Sequence, residues 1–288
     1  MQISINAHAK INLFLDIVSL RDDNYHNILS LMQAVTLHDV ITIDYDSNAD
    51  RSIEIVCNAK GIPCDERNLA YRAADMLLEQ GCLRITIEKN IPSEAGLAGG
   101  SADAAATLIG LNELLGNRYS LDELKTMGKK LGADVPFCIE GGSCIVEGIG
   151  EKMTKCSAMP DFPLVIARIG EGMSTPTAYR KLDEKFDRFK NYSPKIDMLE
   201  ILLGSTENTP LSDYCKGLYN IFEEVVEPER PEITTIKNIL SKNGACGTLM
   251  TGSGTAGFGI FENEEAAMCA NSALLSIGAT SSICYPKK

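Results

Sequence analysis

The sequence predicts an α+β chain in two halves, residues 1–160 and 161–288. Three observations predict it. Segments with period-two alternation and segments with helical spacing are mixed without the regular strand–helix–strand rhythm of a parallel sheet. The composition shifts at "MPDFPL", from Met159 onward. A chain of 288 residues, 44% hydrophobic and 23% charged, is long enough for two ordinary cores.

The elements follow in order. "ISINAHAKINLFLDIV" reads as one strand or two in sequence, and "RDDNYHN" is a polar break. "LSLMQAV", "DVITIDYD" and "RSIEIVC" read as further strands. "NLAYRAADMLLEQG" carries helical spacing at Leu69, Ala73, Met76 and Leu77, with Gly81 as its stop. "LRITIEKNI" alternates as a strand. "SADAAATLIGLNELLG" is helical, as is "SLDELKTMGKKLG", which opens on the capping box Ser120 and Glu123. "GADVPFCIEGGSCIVEGIGEKM" returns to strands and turns. The second half opens with the strand "PLVIARIG". Helices are expected around 177–185, 195–203, 214–227 and 231–243. "GACGTLMTGSGTAGFGIFEN" reads as strand, glycine turn and strand. The helix "EEAAMCANSALLS" and the strand "TSSICY" follow.

The net charge of −12 disfavours nucleic acid and anionic membrane as partners. It leaves anionic small molecules open, because a local cationic pocket overrides a global field. Ten cysteines include no C-x-x-C pair, and the expectation is buried, reduced thiols in a cytoplasmic protein. No signal-peptide pattern or transmembrane-length apolar run is present.

The informative stretch is "IPSEAGLAGGSADAAA". A strand runs into a glycine-rich loop, and the loop runs directly into a helix. Glycine allows close approach of a ligand. Unpaired amides at a helix start, with the helix dipole, make an anion site. The guest this arrangement suits is a phosphate chain, and the alternative is a tight strand–helix connection. The Walker ending G-K-[ST] is absent. The one G-x-G-x-x-G, at Gly252, Gly254 and Gly257, precedes a strand, so a dinucleotide fold is set aside.

Other residues leave alternatives open. Lys10 in "AHAKINLFL" is a snorkelling edge lysine or a charge held near a phosphate or carboxylate. Asp134 in "LGADVPF" is a turn residue or a rigidly aimed base or metal ligand; Pro136 is expected to keep Val135 extended. Tyr25 and His26 are a solvated turn or a platform for a base. His8 and His38 are read as structural or solvated.

Taken together, "AKINLFLDI", "IPSEAGLAGGSADAAA" and "TGSGTAGFGIF" resemble the three motifs of the GHMP kinases, in order and in spacing. "RDDNYHNI", "ERNLAYRAA" and "LGADVPFCIEGG" narrow the resemblance to the branch acting on a cytidine-diphosphate-linked methylerythritol. It spans nearly the whole chain and is weakest at 186–213 and in the C-terminal tail. It implies a two-domain GHMP kinase fold with the active site between the halves. It implies ATP as co-substrate, magnesium with it, and phosphorylation of a hydroxyl on a small cytidylyl substrate. A monomer or weak homodimer is expected.

Carried over by position, the resemblance makes Asp134 the base and Lys10 the cation that keeps it ionised and orients the hydroxyl. Pro92, Ser93, Glu94, Ala95, Gly96, Leu97, Ala98, Gly99, Gly100, Ser101 and Ala102 would wrap the ATP phosphates. Asn68 would contact adenine, with Lys89 as a lesser candidate. Tyr25 and His26 would hold the cytosine, Asn12 the diphosphate or polyol, and Thr175 would lie near the substrate. The "TGSGTAG" turn would close over the substrate. Two departures stand out. Ala102 replaces a second serine common in relatives, so a magnesium contact there would fall to Ser101 or water. Glu94 puts an acid in a phosphate loop and is expected to face solvent. Homoserine or mevalonate kinase activity is the rival reading; a binding protein without activity is disfavoured because Lys10 and Asp134 are both present.

Overall fold

The computed structural model describes residues 1–157 and 159–288. It divides into two compact units that interleave along the chain. The first comprises Met1–Ala9, Leu37–Ile91 and Ala98–Gly141; the second comprises Lys10–Thr36, Pro92–Leu97 and Gly142–Lys288.

The strands β1 (Gln2–Leu20) and β2 (His26–Asp46) each contribute to both units. The sequence showed two strand-like runs where β2 is one. The polar residues Thr36, His38 and Asp39 break its apolar pattern but not its backbone. In the first unit, β3 (Ser52–Cys57) pairs in parallel with β4 (Cys82–Glu88), and β4 pairs antiparallel with the second half of β2, Val40 opposite Glu88. Isoleucines alternate inward here; Ile41, Ile43, Leu83, Ile85 and Ile87 are fully buried.

Helices α1 (Leu69–Leu77) and α2 (Gly99–Leu114) pack on this sheet and on each other, and α3 (Leu121–Leu131) and α4 (Val135–Glu140) pack against α2. Alanines 102, 104, 105 and 106 are buried on α2, which keeps it close to its neighbours. The capping box of Ser120 and Glu123 opens α3 as expected. Helix α1 stops at Leu77, before Gly81, which instead serves the turn into β4 at φ +85°.

Residues 135–140 correct the expectation of an extended Val135 and a following strand. They form a short helix with Pro136 in its first turn. At that place a proline lacks no bond the helix would have made, because first-turn amides are unpaired anyway.

The second unit holds strands of two sheets, the seven-stranded one to which β3, β4 and β2 also belong and a separate four-stranded one. In one, β2 pairs antiparallel with β5 (Ser143–Gly148), β5 pairs with β6 (Lys152–Lys155), and β1 receives the two-residue β8 (Tyr219–Asn220) in parallel. The other has the order β11 (Thr280–Cys284), β7 (Leu164–Arg168), β10 (Gly257–Ile260), β9 (Gly247–Met250). Helices α9 (Pro231–Lys242) and α10 (Glu264–Ser276) cover it through Ile236, Leu240, Ala267, Ala270 and Leu274.

Helices α5 (Thr175–Lys185) and α6 (Ile196–Gly204) occur near their expected places. The single helix expected over 214–227 is broken into α7 (Leu211–Tyr214), a 3₁₀ turn, β8 and α8 (Glu223–Val226). Its apolar residues face several partners in turn, so helical spacing was coincidental. All ten cysteines are free. Only Cys144, Cys215 and Cys284 are buried, while Cys64 and Cys269 are exposed, which corrects the expectation of buried thiols throughout.

Candidate active site

Two glycine-rich segments of the second unit interlock through their backbones. A Cβ on Gly96 would lie 2.1 Å from the Thr251 carbonyl oxygen, and one on Gly254 would lie 2.3 Å from the Gly96 nitrogen. Gly252, at φ +61°, abuts the Gly96 Cα, and Ala256 N donates to Ala95 O at 3.2 Å. No other residue fits at these places. A Cβ on Gly172 would lie 2.5 Å from the Glu94 carbonyl oxygen, and Arg168 donates to the Ser93 carbonyl. The "TGSGTAG" turn, expected to close over substrate, thus packs backbone to backbone against the glycine-rich loop at residues 94–96.

Within that loop Glu94 (φ +52°) and Ala98 (φ +58°) adopt left-handed backbone that side chains disfavour. Glu94 is exposed, as its charge requires, while Ala95 and Leu97 are buried. Among the described residues, the amides of Gly99, Gly100 and Ser101 at the start of α2 have no backbone partner. They open a helix of sixteen residues.

Lys10 is buried, 4% exposed, and Nζ donates to Asn12 Oδ1 at 2.6 Å. Among the described residues of its unit no carboxylate pairs with it. A buried ammonium held only by a neutral amide is poised for an anion. Asn12 is spent internally: Nδ2 donates to Ser30 Oγ at 2.8 Å, and its backbone N donates to Thr251 Oγ1 at 3.0 Å. It orients Lys10 through its side-chain oxygen. Asn220, which the sequence did not single out, donates to both Met250 O and Gly252 O, fixing the turn from below.

In the first unit Asp134 caps α4 without spending its carboxylate. Its side chain accepts no hydrogen bond among the described residues, and only its backbone oxygen is engaged, by Cys138 N. It is half-buried between α3 and α4. Asn68 caps α1: Oδ1 accepts from Ala70 N and Nδ2 donates to Pro63 O, which gives it a structural role unforeseen in the sequence.

Tyr25 and His26 separate. Tyr25 is 61% exposed and His26 only 8%. The His26 ring lies between Tyr179 and Phe189, with centroids at 4.9 and 5.6 Å, and Nε2 meets Asp183 Oδ1 at 2.8 Å. A carboxylate accepts only, so that nitrogen carries the proton. The Thr175 hydroxyl, at the start of α5, meets the Ser253 hydroxyl at 2.8 Å and so touches the glycine turn.

Lys89 is not available as a free cation. It is sealed between Asp39 and Asp103, with side chains 6, 0 and 5% exposed. Burial disfavours its charge, yet the two carboxylates outweigh burial and raise its pKa. Burial, opposed by Lys89 and assisted by Asp39, pushes Asp103 up to about 7. Positions 39, 89 and 103 carry no joint signal in sequence, so this group was not legible there.

The family model for the GHMP kinases N terminal domain matches residues 68–142, and that for GHMP kinases C terminal matches residues 200–271. The interlocked glycine loops thus sit in a small-molecule kinase of the GHMP class. A protein of Caldicellulosiruptor bescii named 4-diphosphocytidyl-2-C-methyl-D-erythritol kinase is 42% identical, covering 92% of this chain and 91% of its own. One of the same name from Clostridium tetani is 43% identical, covering 91% and 92%. A crystal structure of 4-(cytidine 5'-diphospho)-2C-methyl-D-erythritol kinase superposes with a TM-score of 0.78 at 31% identity, over 99% of this chain and 100% of that one. The chain belongs to the 4-diphosphocytidyl-2-C-methyl-D-erythritol kinase family.

Among the described residues no group of three or more His, Cys, Asp or Glu side chains could hold a metal ion, and no helix is long and apolar enough to cross a membrane. The side chains present do not build a metal cage. Magnesium that arrives on nucleotide phosphates needs few protein ligands.

Proposed function

We propose that the chain transfers the γ-phosphoryl group of ATP to the 2-hydroxyl of 4-diphosphocytidyl-2-C-methyl-D-erythritol, giving the 2-phosphate and ADP. The observation that carries the site assignment is Lys10, a buried ammonium whose neutral partner, Asn12, also donates its backbone N to Thr251 at the glycine turn. The residue roles that follow are part of the same reading. Residues Pro92 to Ala102 cradle the phosphates with backbone amides. Asp134, whose carboxylate is uncommitted, accepts the hydroxyl proton. The substrate oxygen bonds to the γ-phosphorus as the bond to the ADP oxygen breaks, and ADP leaves with that electron pair. Lys10 offsets negative charge at the reacting oxygens. Positioning supplies most of such catalysis, so Asp134 contributes by orientation as well as by basicity.

Asp183 fixes the protonated edge of His26, and we assign His26, Tyr25 and Thr175 to the substrate side. The free thiols support a cytoplasmic location.

The test is ADP release with magnesium-ATP and the cytidylyl substrate, for wild type and Asp134→Asn. Expected is turnover in wild type and a loss of about 10²–10⁴-fold in the variant with ATP binding retained. Wild-type turnover of homoserine or mevalonate, and not of the cytidylyl substrate, would overturn the substrate assignment.

A further inference from the structure

The ends of the phosphate loop are joined by a buried ionic group outside the residues assigned above. Lys89 and Asn90 leave β4, Ile91 follows, and the loop begins at Pro92. It re-enters the first unit at Ala98, and Asp103 stands in the second turn of α2. Asp39 Oδ1 accepts from Asn90 N at 2.5 Å and Ile91 N at 2.8 Å, fixing the chain as it departs. Lys89 Nζ donates to Asp39 Oδ2 and, at 2.8 Å, to Asp103 Oδ2, fixing the helix at which the chain returns.

We propose that Asp39, Lys89 and Asp103 form a clasp that sets the separation of the two ends of the phosphate loop, making Lys89 and Asp103 positioning residues for ATP.

Three observations support a positioning role over a purely stabilising one. The group carries two carboxylates for one ammonium, and Asp103 Oδ1 is buried with no hydrogen-bond partner among the described residues. A group selected for stability alone would be balanced or replaced by apolar side chains, which pack as well without desolvation. The clasp bonds are directional and end on backbone amides beside the loop, so they specify geometry. Space around the clasp is also tight: a Cβ on Gly99 would lie 3.2 Å from Lys89 Nζ and 3.1 Å from Ile91 Cγ2. The first residue of α2 is therefore pressed onto the clasp, and moving Lys89 moves the amides at the helix start. A loop tied at both ends also has fewer conformations to lose when it wraps a ligand.

This inference rests on the phosphate-loop reading above. The variant to make is Asp103→Ala, because it leaves Lys89 and Asp39 as a balanced buried pair and keeps a good helix former on α2. Expected is a rise of about tenfold in KM for ATP, the worth of one charge-assisted hydrogen bond. kcat and KM for the cytidylyl substrate should stay within about twofold, since the clasp touches neither. Asp103→Asn, which keeps an acceptor oxygen for Lys89, should restore most of the ATP affinity. An ATP KM unchanged or lowered in Asp103→Ala would overturn the clasp, because freeing Lys89 would then help or not concern the nucleotide. Direct ATP binding by calorimetry is measured on the same variants. It reads the clasp even if the cytidylyl substrate is not turned over, so the two readings fail separately.

Discussion

At the scale of single residues, Lys10 shows most plainly how chemistry and stability diverge. An ammonium that is 4% exposed and held by an amide oxygen costs the resting protein free energy. An apolar side chain of similar length would relieve that cost. Lys10→Met is therefore expected to melt no lower than wild type while losing about 10²–10³-fold in kcat, the range for removing one preorganised electrostatic contact. Thermal unfolding and steady-state turnover on one preparation check both halves. A variant that loses stability and activity together would make Lys10 a structural residue. The sequence showed this lysine as anomalous because it interrupts an apolar strand. It could not show Asn12 as its holder, because a polar residue two positions along a strand reads equally well as solvent-facing.

At the scale of elements, the interlock of residues 94–96 with 251–254 is made of backbone. Gly254→Ala would place a methyl group 2.3 Å from the Gly96 nitrogen, and one of the two segments must move. Activity is expected to fall by about 10²-fold, as a misplacement of about 1 Å does elsewhere. Gly61→Ala is the control. Gly61 also has a positive φ, +82°, but nothing lies within 4 Å of its Cβ position. It should cost only about 1 kcal/mol of stability and leave turnover intact. Similar loss in both variants would mean that backbone conformation, not contact, sets the requirement. The two glycine motifs were legible as motifs. Their contact was not, since about 155 residues separate them and a glycine carries no side chain to signal a partner. The helix over 135–140 escaped notice for a different reason. A proline two residues after Asp134 reads as a break, yet in the first turn of a helix it is a start.

At the scale of the whole molecule, the net charge of −12 opposes the approach of anionic substrates, while Lys10 acts only at contact range. Screening shortens the reach of the global field from about 30 Å at 0.01 M salt to about 8 Å at 0.15 M. Over that range kcat/KM for ATP should rise, most visibly if association limits it. A fall with added inert salt would show that a local cationic surface steers the nucleotide. The mixture of strand and helix patterns without a regular strand–helix rhythm made the α+β class legible, and the glycine motifs did the same for the kinase class. Which segments pack together was not legible: residues 10–36 and 92–97 join the compact unit of the C-terminal chain, a long-range pairing that linear composition does not encode.

The backbone interlock of the two glycine segments bears on how the enzyme could escape an inhibitor. A compound that hydrogen-bonds only to main-chain atoms of Gly96, Gly252 and Gly254 would meet no position there that mutation could usefully enlarge. Gly96 and Gly254 admit no Cβ, and Gly252 has a left-handed backbone pressed against Gly96. Resistance by point substitution would then have to arise at a distance, for example in Arg168 or Asn220, which hold the two segments in place.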